Sequence, residues 1–150
     1  MLDRFEQFTA AISAINRCIQ KLERDEMEKY GYKGAFAQYL MVLAAHPEGL
    51  TAAELSEHSD RDKAAVSRIV SEMTEKGLIC HVGRDDKKYK ARLQLTEDGK
   101  KSADFVAGRA RAAVEAAGRE LSDELRAALY FSLDSISKNL EELCRDGIPN

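Results

Sequence analysis

The chain has 150 residues, 44% hydrophobic and 33% charged, a size that fits one compact domain with helical extensions and a sizeable core. Its longest strictly apolar run, Tyr39 to Ala45, is far too short to span a membrane, and residues 1–20 carry charge throughout with no secretory core, so a cytoplasmic protein without a membrane partner is expected. The formal net charge of −3 speaks against a nucleic-acid partner when taken as a total, but residues 61–92 hold nine Lys or Arg against five Asp or Glu, a basic middle inside an acidic frame.

The first predicted helix runs to about residue 30. Phe5, Phe8, Ile12, Ile15, Ile19 and Leu22 recur at steps of three and four, which sets them along one stripe, with Glu6, Gln7, Arg17, Gln20 and Arg24 opposite. Gly31 and Gly34 bracket a break, and a second helix is predicted from Ala35 to Ala45, ending at His46-Pro47. Thr51-Ala-Ala-Glu54 matches a capping box, so a short helix should follow to about His58. Ser59 or Asp60 is the predicted cap of the next helix, which carries Ala64, Ala65, Ile69 and Met73 on one face and stops at Gly77. Two short helices joined by a few residues form a helix-turn-helix pattern.

After Gly77 the texture changes to strands. Leu78, Ile79 and Val82 make one; Ala91, Leu93 and Leu95 alternate with Arg92 and Gln94 in a second, around a charged tip from Gly83 to Lys90. Thr96 caps a further helix, with Glu97 and Asp98 placed against its positive end, and Ala103, Ala107, Ala110, Ala113 and Ala117 allow close packing. A last helix opens at Ser122 and repeats Leu125, Leu129, Leu133, Ile136, Leu140 and Leu143 on one stripe. The expected fold is mainly α with a small two- or three-stranded β wing: a winged helix-turn-helix over residues 35–99, its core at 50–99, flanked by dimerisation helices at 1–30 and 100–150 within a single domain.

A recognition helix presents short polar and basic side chains near its N-terminus, where they reach base edges in the major groove. Here Val66 and Ile69 are predicted to face inward, and Lys63, Ala64, Ser67 and Arg68 to form the outer turn. Arg grips guanine bidentately, and Ser reads donor or acceptor edges. Arg84, Lys87, Lys88 and Lys90, with Arg92 behind them, give the wing tip a charge suited to phosphates or a narrow minor groove.

Several stretches in this order and spacing resemble the multiple-antibiotic-resistance regulator (MarR) family: Gln38-Tyr-Leu40, Leu50-Thr-Ala-Ala-Glu-Leu55, Lys63-Ala-Ala-Val-Ser-Arg68, Glu75-Lys-Gly-Leu-Ile79 and Leu95-Thr-Glu-Asp-Gly99. The resemblance implies a homodimer with interlocked terminal helices on a pseudo-palindromic double-stranded operator. It also implies a repressor released by a small aromatic or lipophilic effector, or by oxidation. Lys63, Ser67 and Arg68 would then meet the major groove, with Lys87 and Lys88 probing the minor groove. Two positions depart from the family pattern: His81 stands where many members carry Arg, and Lys87-Lys88-Tyr89 where the common wing reads Asp-x-Arg.

Other features complete the set of candidates. Tyr30, Tyr32, Tyr39 and His46 are candidates to line an effector cavity, and Cys18 to serve as a redox-sensing thiol in the manner of the family's peroxide-sensing branch. Cys18, Cys80 and Cys144 are odd in number and far apart, which argues for free thiols, and no cofactor or clustered metal-ligand set is expected. The competing class is a winged-helix module that binds protein instead of DNA, favoured by the net negative charge and opposed by Arg68 and the basic middle. Catalysis is not expected, because no convergent nucleophile, base or carboxylate set has catalytic spacing.

Overall fold

The computed structural model describes residues 3–59, 61–83 and 91–150. Its elements run α1 (Arg4–Tyr30), α2 (Phe36–Ala44), α3 (Ala52–Ser59), α4 (Lys63–Glu75), β1 (Ile79–Val82), β2 (Arg92–Leu95), α5 (Glu97–Ala117) and α6 (Asp123–Asp146). The mainly helical architecture with a small antiparallel sheet is the one the sequence pattern predicts. Two compact units can be distinguished, residues 1–112 and 113–150.

Local chemistry starts most of the helices. Asp3 and Glu6 close a capping box on α1, with Glu6 N–H donating to Asp3 Oδ1 at 2.7 Å and Asp3 N–H to Glu6 Oε2 at 3.1 Å. Thr51 and Glu54 do the same for α3 at 3.2 and 3.0 Å. On α6 the Leu125 N–H donates to Ser122 Oγ at 3.2 Å, as predicted. The start of α4 differs from expectation. Ser59 is buried as the last residue of α3, its hydroxyl donating to Ser56 O, and the cap is Asp62, which accepts from Ala65 N–H at 2.7 Å. Asp60, the other predicted cap, lies outside the described residues.

The buried face of α4 agrees with the predicted one in part, with Val66 and Met73 buried as expected and Val70 added to them. Val66, Val70 and Met73 enter the core, whereas Ala64 is exposed and Ala65 and Ile69 are half-buried. Branched valines bury more apolar area than alanines, so they set the phase of the helix. They meet Phe36, Leu40 and Leu43 of α2, Leu55 of α3, Leu78 and Ile79 before and on β1, Leu93 of β2, and Met27 and Val106 from α1 and α5 in one cluster.

Gly77, at φ 73°, ends the turn after α4 in a left-handed conformation, and Leu78 N–H donates back to Met73 O at 3.0 Å. β1 and β2 then pair antiparallel, with Ile79 opposite Leu95 and His81 opposite Leu93. Leu50 adds a bridge to Leu93 through two backbone hydrogen bonds, 3.1 and 2.7 Å, which makes the short third strand of the wing's base. Within unit 1, Glu26 joins α1 to α5: the Lys29 ammonium at 3.0 Å, with Arg109 at 3.4 Å, holds its carboxyl below the usual glutamate range against the opposing effect of its burial.

The predicted stripe of α1 is largely open to solvent in the single chain, with Phe5 72% and Ile15 56% exposed. In unit 2, α6 has no buried residue, and Leu125, Leu129, Ile136 and Leu140 of its stripe are exposed. No helix among the described residues is long and apolar enough to cross a membrane.

Candidate nucleic-acid interface

With Asp62 as cap, the first two turns of α4 stand free of the core on one side. Lys63, Ala64, Ser67 and Arg68 are all exposed and spread over about 140° of the helix surface, at roughly 100° per residue. Arg61, just before the cap, is exposed as well. These are the four outer positions expected from sequence, and the structure groups them on one crest with Ser71 one turn further on.

Two concavities flank that crest. On one side a groove of about 680 Å³ runs between α3 and α4 to β1, lined by Ala52 and Ala53, by Lys63, Ser67, Ser71, Thr74 and Glu75, and by His81. On the other, a cavity of about 400 Å³ lies between α1, α2 and α4. Gln20, Glu23 and Arg24 line it from α1, Gln38 and Tyr39 from α2, and Arg61, Ala65, Arg68, Ile69 and Glu72 from α4 and its approach. Gly34 lets α1 and α2 close here, since a Cβ at that position would stand 3.3 Å from Arg24 Cβ and 2.9 Å from Glu28 Oε1.

The electrostatics of this cavity are unbalanced. Glu72 is neutralised by Lys33 at 2.5 Å. Burial pushes the Glu23 carboxyl above the ordinary glutamate range, which favours its neutral form. Among the described residues, the side chains of Arg24, Arg61 and Arg68 make no salt bridge or hydrogen bond, and neither does the hydroxyl of Tyr39, whose ring is buried. Three guanidiniums and a phenol thus open onto one space. Sequence reasoning points to Tyr39 and Arg68 but misses Arg24, Arg61 and Gln38. They come from three separated segments, and no local pattern links them.

The residues expected to line an effector cavity do not share one, although the rings of Tyr30 and Tyr32 lie 6.0 Å apart. Tyr39 lines the cavity just described. Tyr30 packs its half-exposed ring on Phe105, with centroids 4.9 Å apart, and lines none of these spaces. Tyr32 lies half-buried against the core, its ring 6.4 Å from that of Phe36. His46 borders a third, smaller cavity of about 270 Å³ with Leu43, Pro47, Lys100 and Asp104. Its Nδ1 is 2.8 Å from Val42 O, and its ring is 4.8 Å from that of His58.

Cys18 is exposed on α1 and is not part of the cavity lining. At the wing, Arg84, Lys87, Lys88 and Lys90 lie outside the described residues. Arg92, the basic residue at the wing's described base, is engaged within the protein: its Nη1 donates to Gly49 O at 2.9 Å and lies 3.5 Å from Glu54 Oε2.

Residues 30–88 match the family model described as MarR family. No curated protein matches the chain. Among solved structures, a MarR transcriptional regulator from Methanosarcina mazei Go1 is 25% identical, covering 95% of this chain and 94% of that one, at a TM-score of 0.76. A MarR-family regulator from Silicibacter pomeroyi is 22% identical over 86% of each chain, at a TM-score of 0.68. A mutant MarR from E. coli, complexed with operator DNA, shares the fold at 16% identity and a TM-score of 0.62, over 90% of this chain and 99% of that one. In its winged-helix fold, and over residues 30–88, the chain is similar to transcriptional regulators of the MarR family.

Proposed function

We propose that the protein is a sequence-specific DNA-binding repressor that acts as a homodimer on a pseudo-palindromic operator. The observation that carries this reading is the capped α4, whose exposed crest sets Lys63, Ala64, Ser67 and Arg68 together at the end that enters a major groove. Arg84, Lys87, Lys88 and Lys90 of the wing would follow the backbone or the minor groove beside it. The homodimer is supported by the stripes of α1 and α6, apolar faces too long to be left in water by a single chain. The test is selection of bound duplexes from a random DNA pool by the purified protein. Recovery of a palindrome with half-sites about 10 bp apart supports both parts of the reading. Recovery of no preferred sequence favours the protein-interaction module instead.

The cavity between α1, α2 and α4 supports a second element, release by a small effector. Its arginines, which make no salt bridge among the described residues, suit a carboxylate, and Ile69, Ala65 and the Tyr39 ring suit an apolar body attached to it. Because Arg68 borders both the cavity and the crest, an anion held there draws a base-reading side chain away from DNA. Benzoate at millimolar concentration should therefore weaken binding to the selected duplex. Arg24→Ala, remote from the crest, should remove that sensitivity while leaving the affinity without benzoate unchanged. Equal sensitivity in the variant would refute this placement. Protonation of Glu23 removes a competing negative charge, so the benzoate effect should grow as pH falls.

A further inference from the structure

In the sequence His81 stands out only as a departure from the family pattern; the sheet gives it a place. It stands opposite Leu93 in the β1–β2 register, and directly paired residues on antiparallel strands project to the same face. That face buries Leu93 and, two residues earlier on β1, Ile79. One step further along the strand the core has ended, so His81 turns the same way into open space. There it forms one wall of the groove whose other wall is the DNA-facing side of α4, with Lys63, Ser67 and Ser71. The side chain is exposed, and no described residue makes a hydrogen bond or ion pair with its ring.

We infer that His81 is a DNA contact on β1, additional to those of α4, and that its protonation tightens operator binding. The inference rests on the DNA-binding reading above. Imidazole is the side chain whose ordinary titration falls between about pH 5 and 8, and phosphate beside it favours the cation. Binding DNA therefore draws a proton onto the ring, and by linkage affinity rises as pH falls through that range. The charged groups facing it among the described residues are both on α4: Lys63, which opposes the imidazolium, and Glu75, which favours it. From α3 only Ala52 and Ala53 reach the groove. With Arg92 held by Gly49 and Glu54, His81 is the group on the described strands left to meet a phosphate.

The experiment measures affinity for the selected palindrome at fixed salt from about pH 8 to 5.5, in the wild-type protein, His81→Gln and His81→Lys. The wild-type protein should bind about a hundredfold more tightly at the acid end, about tenfold for each of two additional charge-assisted hydrogen bonds to phosphate, one per half-site. Its log–log salt slope should also steepen by about 1.8, for two more neutralised phosphates. His81→Gln should bind with little pH dependence, and His81→Lys should bind at pH 8 as the wild-type protein does at pH 5.5. A His81→Gln protein that keeps the full pH dependence overturns the inference and points to His46 or His58 instead. If the wild-type protein prefers no duplex at any pH, the DNA-binding reading itself fails.

Discussion

Gly99→Ala should destabilise the winged-helix unit by about 3–5 kcal/mol, whereas Gly108→Ala, nine residues along the same helix, should leave it as stable or stabilise it by up to about 1 kcal/mol. The contrast comes from what each new methyl group would meet. An ideal Cβ on Gly99 falls inside the van der Waals envelope of the Leu78 carbonyl oxygen and 3.0 Å from its carbon, both rigid backbone atoms. On Gly108 nothing lies within 4 Å. The first turn of α5 is fastened at that point. Thr96 N–H donates to Leu78 O at 3.0 Å, the Thr96 hydroxyl donates to Gly77 O at 2.5 Å, and the same hydroxyl accepts from Gly99 N–H at 3.1 Å. Relieving the clash means moving the turn by about 1 Å. That strains hydrogen bonds worth about 1 kcal/mol each and disturbs the packing of Leu78 and Ile79, both fully or nearly buried. The increase in helix propensity, about 1 kcal/mol, offsets only part of this cost. In thermal melts at equal protein concentration, Gly99→Ala should lose roughly 10 °C. A melting point within a degree or two of wild type would show that α5 docks on the turn more loosely than this geometry implies.

Gly99 illustrates which parts of the fold are legible in the sequence. Its segment, Leu95-Thr-Glu-Asp-Gly99, reads as part of a family pattern, but the reason for the glycine is a contact with Leu78 across 21 positions, which no local rule supplies. Helix starts governed by one side chain reaching its own backbone are readable: Thr51 with Glu54, Thr96 and Ser122 all cap where expected. The start of α4 is not, because Ser59, Asp60 and Asp62 are all competent caps and the choice depends on how far α3 runs. Ser59 is taken into α3 and buried there, which leaves Asp62.

The phase of α4 is legible only in part, for a related reason: Val66 and Met73 are buried as expected, but Val70 joins them and Ala65 and Ile69 stay half-buried. Alanines and valines define two overlapping stripes on this helix, and only the position of Leu55, Leu78 and Leu93 decides which one is covered. The candidate site divides in the same way. The outer residues of α4 follow from one helix and are found together. The arginine cavity is assembled from segments around residues 24, 38, 61 and 68, and nothing in any one of them announces the others.

Arg68→Ala is the substitution that separates the two roles its position allows. As a base-reading residue, Arg68 should contribute about 1–3 kcal/mol to binding of the selected palindrome, and its loss should relax discrimination at one base of each half-site. Binding to an unrelated duplex, which depends on phosphate contacts, should change much less. The effect on a dimer is felt twice, once per half-site, so the loss measured for the full operator should exceed that for a single half-site. As a cavity wall, Arg68 should also contribute to benzoate binding together with Arg24 and Arg61. The two losses are measured independently, one by titration of duplex and one by titration of benzoate without DNA. A variant that loses benzoate binding but keeps wild-type affinity and selectivity for the palindrome would confine Arg68 to the cavity. Base reading would then fall to Lys63 and Ser67, on the side of α4 that faces His81.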